Sequence, residues 1–395
     1  MIIRARCVLT MDGAPIENGA VAVRGEKIQD LGEWGDVRAR NSGEVVDLGD
    51  SILMPGLINA HCHLDYTNLR GQIPPQPSFA DWIRDINRKK AEMNEDDYLA
   101  AVLAGIDEAA AFGTTTIGNL EAVPELIARV PDDGMRLRWF VEMIALQKRG
   151  SAAETLARFG LNLAPHAPYT APRSLYAETA LLTKQHQLVA TTHLAESREE
   201  TEMFRDASGL LYELMKRVGR DMSDCGRKTP IAWMLEDGDV LDDRWVVAHL
   251  NEITAHDFEL LARAPKFHIV HCPRSHAFFR HSPFAFGKLR EVGFNISLGT
   301  DSLASNDDLS LFAEMRQFAQ MNPAIAAREV VEMVTTHPAA ALHEQASLGR
   351  IRQNFVADLI AIPFAGNARD AYESVVEFAG KVSWRMLAGN VALPR

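Results

Sequence analysis

The sequence has few of the features that mark secreted, membrane or nucleic-acid-binding proteins. Its four cysteines form no CxxC pair and no framework spacing, so they are predicted to be reduced thiols. No apolar run approaches the roughly 20 residues that cross a bilayer, and Asp12 comes too early for the apolar region of a signal peptide. The 41 Lys and Arg against 53 Asp and Glu give no basic excess for a phosphate backbone. These absences predict a cytoplasmic protein that binds neither nucleic acid nor membrane.

The composition is that of an ordinary globular protein. Hydrophobic residues make up 47% and charged residues 24% of the 395 positions, which excludes a disordered or fibrous chain. Single cores stop growing at about 250–300 residues, so one large and one smaller domain are expected. This size favours an enzyme with a small-molecule substrate, and a homodimer is left open.

Both ends of the chain are predicted to be rich in strands. The first 54 residues contain short β-rich stretches broken by Gly, Asp and Asn turns. The stretches ADLIAIP and VVEFAGKVSWRMLAGNVAL near the C-terminus are predicted as strands on the same grounds. We therefore expect residues 1–54 and 355–395 to form one small β-sandwich domain, with a second domain spanning residues 55–354.

Strand-like and helix-like segments alternate eight times in the middle of the chain. The first strand, GLINAHCHL, is followed by a long loop, and the last strand is FNISLGTDS. Helices are expected at VPELIARV and, as one continuous helix, at EETEMFRDASGLLYELMKRVG. Eight such repeats predict an α/β fold, a closed (β/α)8 TIM-like barrel. An open doubly wound sheet is the alternative, but no Gly-rich phosphate turn follows the first strand.

Six of the 13 histidines lie at the ends of predicted barrel strands, where the chemistry of such barrels takes place. The two-residue period of a strand puts the first two on one face. Asp301 ends the eighth strand. Neutral imidazole is a common ligand of zinc and iron, and three His with one carboxylate is typical of a catalytic metal site. The six are His61, His63, His166, His193, His249 and His271.

Four motifs together resemble the amidohydrolase superfamily: HCH on the first strand, HLAE on the fifth, AH on the sixth and GTDS on the eighth. MPGLINAHCHLD resembles that family's entry into the barrel, and LGRI followed by ADLIAI resembles its exit. Within the family, the chain is most similar to the cytosine-deaminase-like branch of nucleoside deaminases and s-triazine hydrolases, with aminodeoxyfutalosine deaminases among the candidates.

The resemblance implies roles for individual residues. It makes Glu196 the proton-shuttling glutamate and His249 the histidine that orients the attacking water, with Asp301 sharing in catalysis. The alternative for Glu196 is a charge that favours the start of the next helix. Binuclear relatives carry a bridging Lys or Glu on the fourth strand, but LNLAPHAPY has neither, so one divalent metal is expected, zinc first and iron as the alternative. The implied ligands are His61, His63, His193 and Asp301.

Three further residues are predicted to bind substrate. His166 stands where the branch usually has a histidine that contacts substrate. Trp82, with Phe79, is predicted to form an aromatic lid over a planar base, although both rings could instead pack the loop onto the barrel. His276, in HCPRSH, stands where many relatives carry Asn.

The activity that the resemblance implies is hydrolytic deamination of an aminated heterocycle with release of ammonia. The leading substrates are adenine-type nucleosides such as 6-aminodeoxyfutalosine or a 5′-modified adenosine. The alternatives are a guanine or pterin deaminase, an s-triazine chloro- or aminohydrolase, and a cyclic amidase similar to imidazolonepropionase.

Overall fold

A computed structural model describes residues 1–392 apart from 133, 145–149, 237 and 239. Its strands fall into two sheets, one built from both chain ends and one from the middle of the chain. We call the first the terminal sheet. The strands of the terminal sheet are β1 (Ile2–Val8), β2 (Ile16–Arg24), β3 (Lys27–Glu33), β4 (Val45–Asp47), β5 (Ser51–Pro55), β15 (Leu359–Pro363), β16 (Trp384–Leu387) and β17 (Asn390–Ala392).

The terminal sheet joins the two ends of the chain. Its order is β17-β16-β15-β5-β1-β2-β3, with β4 paired to β1. The antiparallel pair β15 and β5, in the register Leu359↔Pro55, connects the N-terminal strands to the C-terminal ones. Buried aliphatic side chains such as Ile3, Val21 and Leu53 fill its core, as period-2 alternation requires. The domain limits at residues 54 and 355 stay a prediction.

The second sheet is the barrel. Its parallel strands are β6 (Leu57–His63), β7 (Thr114–Glu121), β8 (Arg136–Met143), β9 (Asn162–Pro165), β10 (Ala190–Leu194), β11 (Trp245–His249), β12 (His268–His271), β13 (Asn295–Leu298) and β14 (Asp301–Ser302). β13 pairs with β12 and β14 with β6, so these two short segments together act as the eighth strand and close the circle. Closure needs Gly299, because a Cβ there would lie 2.9 Å from the carbonyl oxygen of His61. The TIM-like barrel with a small β domain from both chain ends is confirmed.

Helices connect the strands and cover the barrel. They are α1 (Trp34–Arg40), α2 (Phe79–Ala91), α3 (Glu95–Ala111), α4 (Ala152–Phe159), α5 (Arg173–His186), α6 (Arg198–Asp206), α7 (Leu210–Arg217), α8 (Pro230–Leu235), α9 (Ala255–Arg263), α10 (Pro273–Phe279), α11 (Phe286–Glu291), α12 (Leu311–Met321), α13 (Ala327–Glu332), α14 (Thr336–Ala341) and α15 (Ala371–Glu377). Short 3-10 helices cover Leu64–Leu69, Pro124–Arg129 and Ala368–Asp370. None of the helices in the described residues is both long and apolar enough to cross a bilayer.

Four expectations about local structure are wrong. The long loop after the first strand contains the helix α2, which begins at the cap Ser78. The expected single helix after β10 is two helices, because Ala207 and Gly209 have φ of 49° and 93°. The segment at Pro124–Arg129 is a 3-10 helix. The start of VVEFAG belongs to α15, whose packing against α12 and α13 overrides the β propensity of its valines.

Candidate active site

The four predicted metal ligands meet where three barrel strands end at the mouth of the barrel. His61 and His63 come from the end of β6, His193 from β10, and Asp301 from β14. His63 Nε2 lies 3.3 Å from His193 Nε2, and Asp301 Oδ1 lies 3.8 Å from Nε2 of both His61 and His63. All four side chains are buried. The parallel strands therefore bring together residues that are up to 240 positions apart, as 301 − 61 = 240.

This cluster fits a divalent cation. Among the residues that the structure describes, no hydrogen-bond partner faces either ring nitrogen of the buried His61, which is costly unless another group occupies that position. Donor atoms of His61, His63 and Asp301 lie within 4.8 Å of one another, as do those of His61, His193 and His249. Burial lowers the pKa of His61 to about 3, so its ring is neutral, as a ligand must be. Imidazole nitrogens with one carboxylate are the donors that zinc prefers.

Neighbouring groups orient two of the predicted ligands. The Nδ1–H of His193 donates to the carbonyl oxygen of His166 at 2.8 Å, which leaves Nε2 free to face the cluster. Asp301 Oδ2 accepts from the hydroxyl of Ser275 at 2.6 Å and from that of Ser305 at 3.3 Å. Such partners fix the ligand orientation and are part of the metal site. Sequence reasoning missed both serines, of which Ser275 lies in α10 and Ser305 in the loop after β14.

The backbone around the cluster is strained. Ala195, His249, Leu250 and Asp301 have φ of 49°, 73°, 50° and 56°, in the left-handed region that non-glycine residues rarely adopt. Each such residue costs on the order of 1–3 kcal/mol and persists only when its surroundings hold it there. The three barrel strands β10, β11 and β14 all carry this strain at the ends that form the cluster.

Glu196 lies in the loop after β10, beside the cluster. One carboxylate oxygen lies 3.8 Å from Nε2 of His249. Burial, together with the nearby Asp301 and Glu200, raises the pKa of Glu196 well above its ordinary range. Its backbone N–H donates to Glu200 Oε2 at 2.8 Å, and its carbonyl oxygen accepts from Asn251 Nδ2 at 3.0 Å. Glu196 therefore has a fixed backbone and a buried carboxyl group that faces His249.

Three residues of the cluster, His63, His193 and Asp301, line a cavity of about 310 Å³. Glu196 and His249 line the same cavity. An apolar part of the cavity lining comes from α2, from α7 and from the residue that follows α7, and the two helices contact each other. We call this the outer wall; its residues are Trp82, Ile83, Ile86, Leu214, Met215 and Val218.

A second polar group lines the cavity and was missed from the sequence. Glu142, near the end of β8, is buried, and its carboxylate lies 3.9 Å from Nε2 of His166. Burial and the charge of Glu142 raise the pKa of the neighbouring Asp65 to about 7. Lys90 of α2 also lines the cavity. A signal was available, because a carboxylate inside the apolar strand LRWFVEMIA has to face something polar.

Two of the three predicted substrate contacts line the cavity. His166 does so with its Nδ1 held 2.7 Å from Thr170 Oγ1. Trp82 lines it too and packs edge-on against Phe279, with ring centroids 4.9 Å apart. His276 is absent from the described lining, because its Nδ1 faces Asn251 Oδ1 at 3.1 Å. A contact between His276 and substrate stays a prediction, as do the roles of the other two.

The barrel and the His–Asp cluster at its mouth define a metal-dependent hydrolase of the TIM-barrel class. Residues 52–383 match the model of the Amidohydrolase family. The chain belongs to this family, and it is a hydrolase that acts on non-peptide carbon–nitrogen bonds. The resemblance inferred from the sequence motifs is confirmed.

Curated relatives agree with this assignment, and a solved structure shares the fold. The chain is 30% identical over 390 residues to a 5-methylthioadenosine/S-adenosylhomocysteine deaminase of Nitratidesulfovibrio vulgaris, covering 91% of this chain and 83% of that protein. It is 28% identical over 402 residues to a 5′-deoxyadenosine deaminase of Methanocaldococcus jannaschii, covering 94% and 90%. Helicobacter pylori aminofutalosine deaminase with methylthio-coformycin has the same fold, with a TM-score of 0.85 at 22% identity over 99% of this chain and 100% of that one.

Proposed function

We propose that this protein is a zinc-dependent deaminase of adenine nucleosides whose 5′ substituent is apolar. The observation that carries the proposal is one cavity lined by a polar and an apolar set of residues. Three of the predicted ligands, with Glu196 and His249, belong to the polar set, and the outer wall is the apolar set. An adenine nucleoside with a 5′-deoxy or 5′-thioether group has two matching parts, a polar amino-bearing base and an apolar tail.

The residues that would hold the metal are His61, His63, His193 and Asp301. A divalent ion at such a site supplies an activated water at neutral pH and so makes hydrolysis possible without a covalent intermediate. The unpartnered nitrogens of His61 and the neutral state of its ring support this assignment. The absence of Lys and Glu from the end of β9 supports a single ion.

Glu196 carries the proton transfers in this proposal, and His249 aligns the water. The oxygen of water bonds to the carbon that bears the amino group, and the water proton passes through Glu196 to the adjacent ring nitrogen. The carbon–nitrogen bond then breaks with its electron pair on the amino nitrogen, which takes the second proton of the water and leaves as ammonia, while the oxygen stays as the carbonyl of the product. His249 and Asp301 keep the water aligned. Each positioned acid or base contributes on the order of 10²–10⁴ in rate.

Two further lining residues, Glu142 and His166, would bind the ribose and the far edge of the base. Glu142 is a buried acceptor suited to two sugar hydroxyls, and His166 lies between it and the cluster, with ring centroids of His166 and His193 4.9 Å apart. The names of the relatives point in the same direction, since both curated proteins act on 5′-modified adenosines. Aminodeoxyfutalosine, which also carries an altered 5′ position, stays within this class.

Ammonia release from a substrate panel tests the proposal. The panel holds adenosine, 5′-deoxyadenosine, 5′-methylthioadenosine, 6-aminodeoxyfutalosine, guanine, an aminated triazine and a cyclic amide. We expect kcat/KM to be highest for a 5′-modified adenosine. Turnover of guanine or the triazine alone would overturn the nucleoside assignment, and ring opening of the amide without ammonia would identify a cyclic amidase.

A variant of the outer wall sharpens this test. Met215 is buried in the wall, and Met215→Gln puts an amide beside the apolar 5′ group. The methylthio group should lose about 1–2 kcal/mol, or about 5- to 30-fold in kcat/KM relative to adenosine. Met321→Gln is the matched control, because Met321 is exposed on α12. An unchanged ratio in the Met215 variant would remove the 5′ group from this wall.

We also place the protein in the cytoplasm, with a small molecule as its reaction partner. Its four free cysteines suit a reducing compartment. The homodimer stays a prediction, which sedimentation equilibrium of the purified protein tests.

A further inference from the structure

The main chain of Glu196 is held from both sides by buried side chains. On one side its N–H donates to Glu200, a carboxylate that is fully buried in the first turn of α6. On the other side its carbonyl oxygen accepts from the side-chain amide of Asn251, which is 3% exposed. These two contacts hold the peptide groups on either side of the Glu196 Cα, so they fix the backbone position from which its side chain extends.

Asn251 is itself fixed in one orientation. His276 Nδ1 lies 3.1 Å from Asn251 Oδ1, which turns the Nδ2 group towards Glu196. The backbone N–H of Asn251 donates to the carbonyl oxygen of Ala195 at 2.9 Å. Asn251 stands two residues after His249, so it ties the loop after β11 to the loop after β10. The loop of Glu196 and the loop of His249, which aligns the water in the proposed function, are thus joined through one amide.

We propose that Glu200 and Asn251 are positioning residues that hold Glu196 at the distance its proton transfers require. This inference rests on the proposed role of Glu196. The same hydrogen bonds help to offset the cost of the strained backbone at Ala195, which has a φ of 49° and directly precedes Glu196. Misplacing a reacting group by about 1 Å can cost on the order of 10² in rate.

Asn251→Ala removes one half of this support, and the chain offers a matched control. Asn295, at the start of β13 and so at the opposite end of the barrel, also donates its amide to a backbone carbonyl, that of His337, at 2.9 Å. Its Nδ2 also lies 2.7 Å from a histidine, His268. Asn251→Ala should lower kcat about 10- to 100-fold, with KM changed by less than about threefold and metal content retained. Asn295→Ala should cost similar stability and leave kcat unchanged.

A pair of substitutions tests Glu200. Glu200→Met keeps the length of the side chain but has no oxygen to accept the N–H of Glu196, whereas Glu200→Gln keeps an amide oxygen. We expect kcat to fall in the Met variant and to recover most of its value in the Gln variant. Hydrogen exchange gives a readout that needs no substrate: peptides spanning Leu194–Arg198 should exchange faster in the Met variant than in the Gln variant.

A double-mutant cycle decides whether the two residues act through Glu196. In a Glu196→Gln background, Asn251→Ala and Glu200→Met should change kcat by less than about twofold, because the group they position is already gone. Additive losses would overturn the inference, as would a normal kcat in both single variants while Glu196→Gln abolishes turnover. Full turnover in the Glu196→Gln variant would instead contradict the proposed acid–base role of Glu196. The two results therefore distinguish failure of the proposed function from failure of the positioning role.

Discussion

Glu199 is predicted to control apparent substrate affinity by holding α2 against the barrel mouth. Its carboxylate accepts the backbone N–H groups of Phe79 at 2.6 Å and Ala80 at 3.1 Å, the first two residues of α2. Because α2 supplies Trp82, Ile83 and Lys90 to the cavity lining, this contact keeps half of the outer wall in place. Glu199→Ala removes both hydrogen bonds and the negative charge at the helix N-terminus.

The size of the effect follows from those two bonds. A hydrogen bond to a charged group contributes roughly 1.5–3 kcal/mol when buried, but Glu199 is only half-buried, so about 1–2 kcal/mol is expected for the pair. Losing this energy destabilises the position of α2 seen in the structure. A smaller fraction of the molecules can then bind substrate, and the apparent dissociation constant rises in proportion. The rise in KM should then be at most about 5- to 30-fold.

Steady-state kinetics with a 5′-modified adenosine measures this effect. We expect KM to rise while kcat changes by less than about threefold, because Glu200 and Asn251 still hold Glu196. Glu202→Ala is the control, since it removes the same charge from the same helix α6 without touching the first turn of α2. An unchanged KM in a folded, metal-loaded Glu199→Ala variant would refute the reasoning, and so would a fall confined to kcat.

Three further predictions concern single side chains. Glu196→Gln should keep its metal and lose at least about 10² in kcat, measured by ammonia release beside elemental analysis, and near-normal turnover would contradict the acid–base role. Burial raises the pKa of Glu314 to about 8, so the native state binds more protons than the unfolded state and the free energy of unfolding should fall as the pH rises from about 4.5 to 8. Denaturant unfolding of Glu314→Gln should show a flatter pH dependence, and an unchanged slope would remove Glu314 as the cause. His276→Asn should lower kcat/KM about two- to tenfold for all nucleosides alike, because His276 contacts Asn251, and a changed ratio between substrates would favour direct contact instead.

The barrel was predictable because of how its strands are buried. Strands such as WVVAHL are covered on both faces, so they read as continuous apolar runs that end in polar residues. The helix α2 was missed although Ser78 caps it, since charged residues dominate its exposed face and a proline-rich stretch precedes it. The helix α15 was missed because Val375 and Val376 favour strands locally, and only packing against α12 and α13 makes them helical.

The residues proposed to bind the metal could be picked out from the sequence, but the residues that support the site could not. The spacing of His61 and His63 indicates a shared face from the strand period alone. By contrast, Glu199 meets Phe79 across 120 positions, and Asn251 meets Glu196 across 55. Such contacts depend on which loops lie together at the barrel mouth, which no local pattern encodes. Glu142 is intermediate, because a carboxylate in an apolar strand is visible in the sequence while its neighbour His166 is not.

Titration of the metal-depleted protein with zinc tests the central claim most directly. Ammonia release from the preferred 5′-modified adenosine is followed as zinc is added to a known concentration of chains. The account predicts that activity rises in proportion to zinc and saturates at about one ion per chain, with an inosine-type product formed for each ammonia. Saturation at two ions per chain, or no ammonia from any adenine nucleoside at full occupancy, would contradict it.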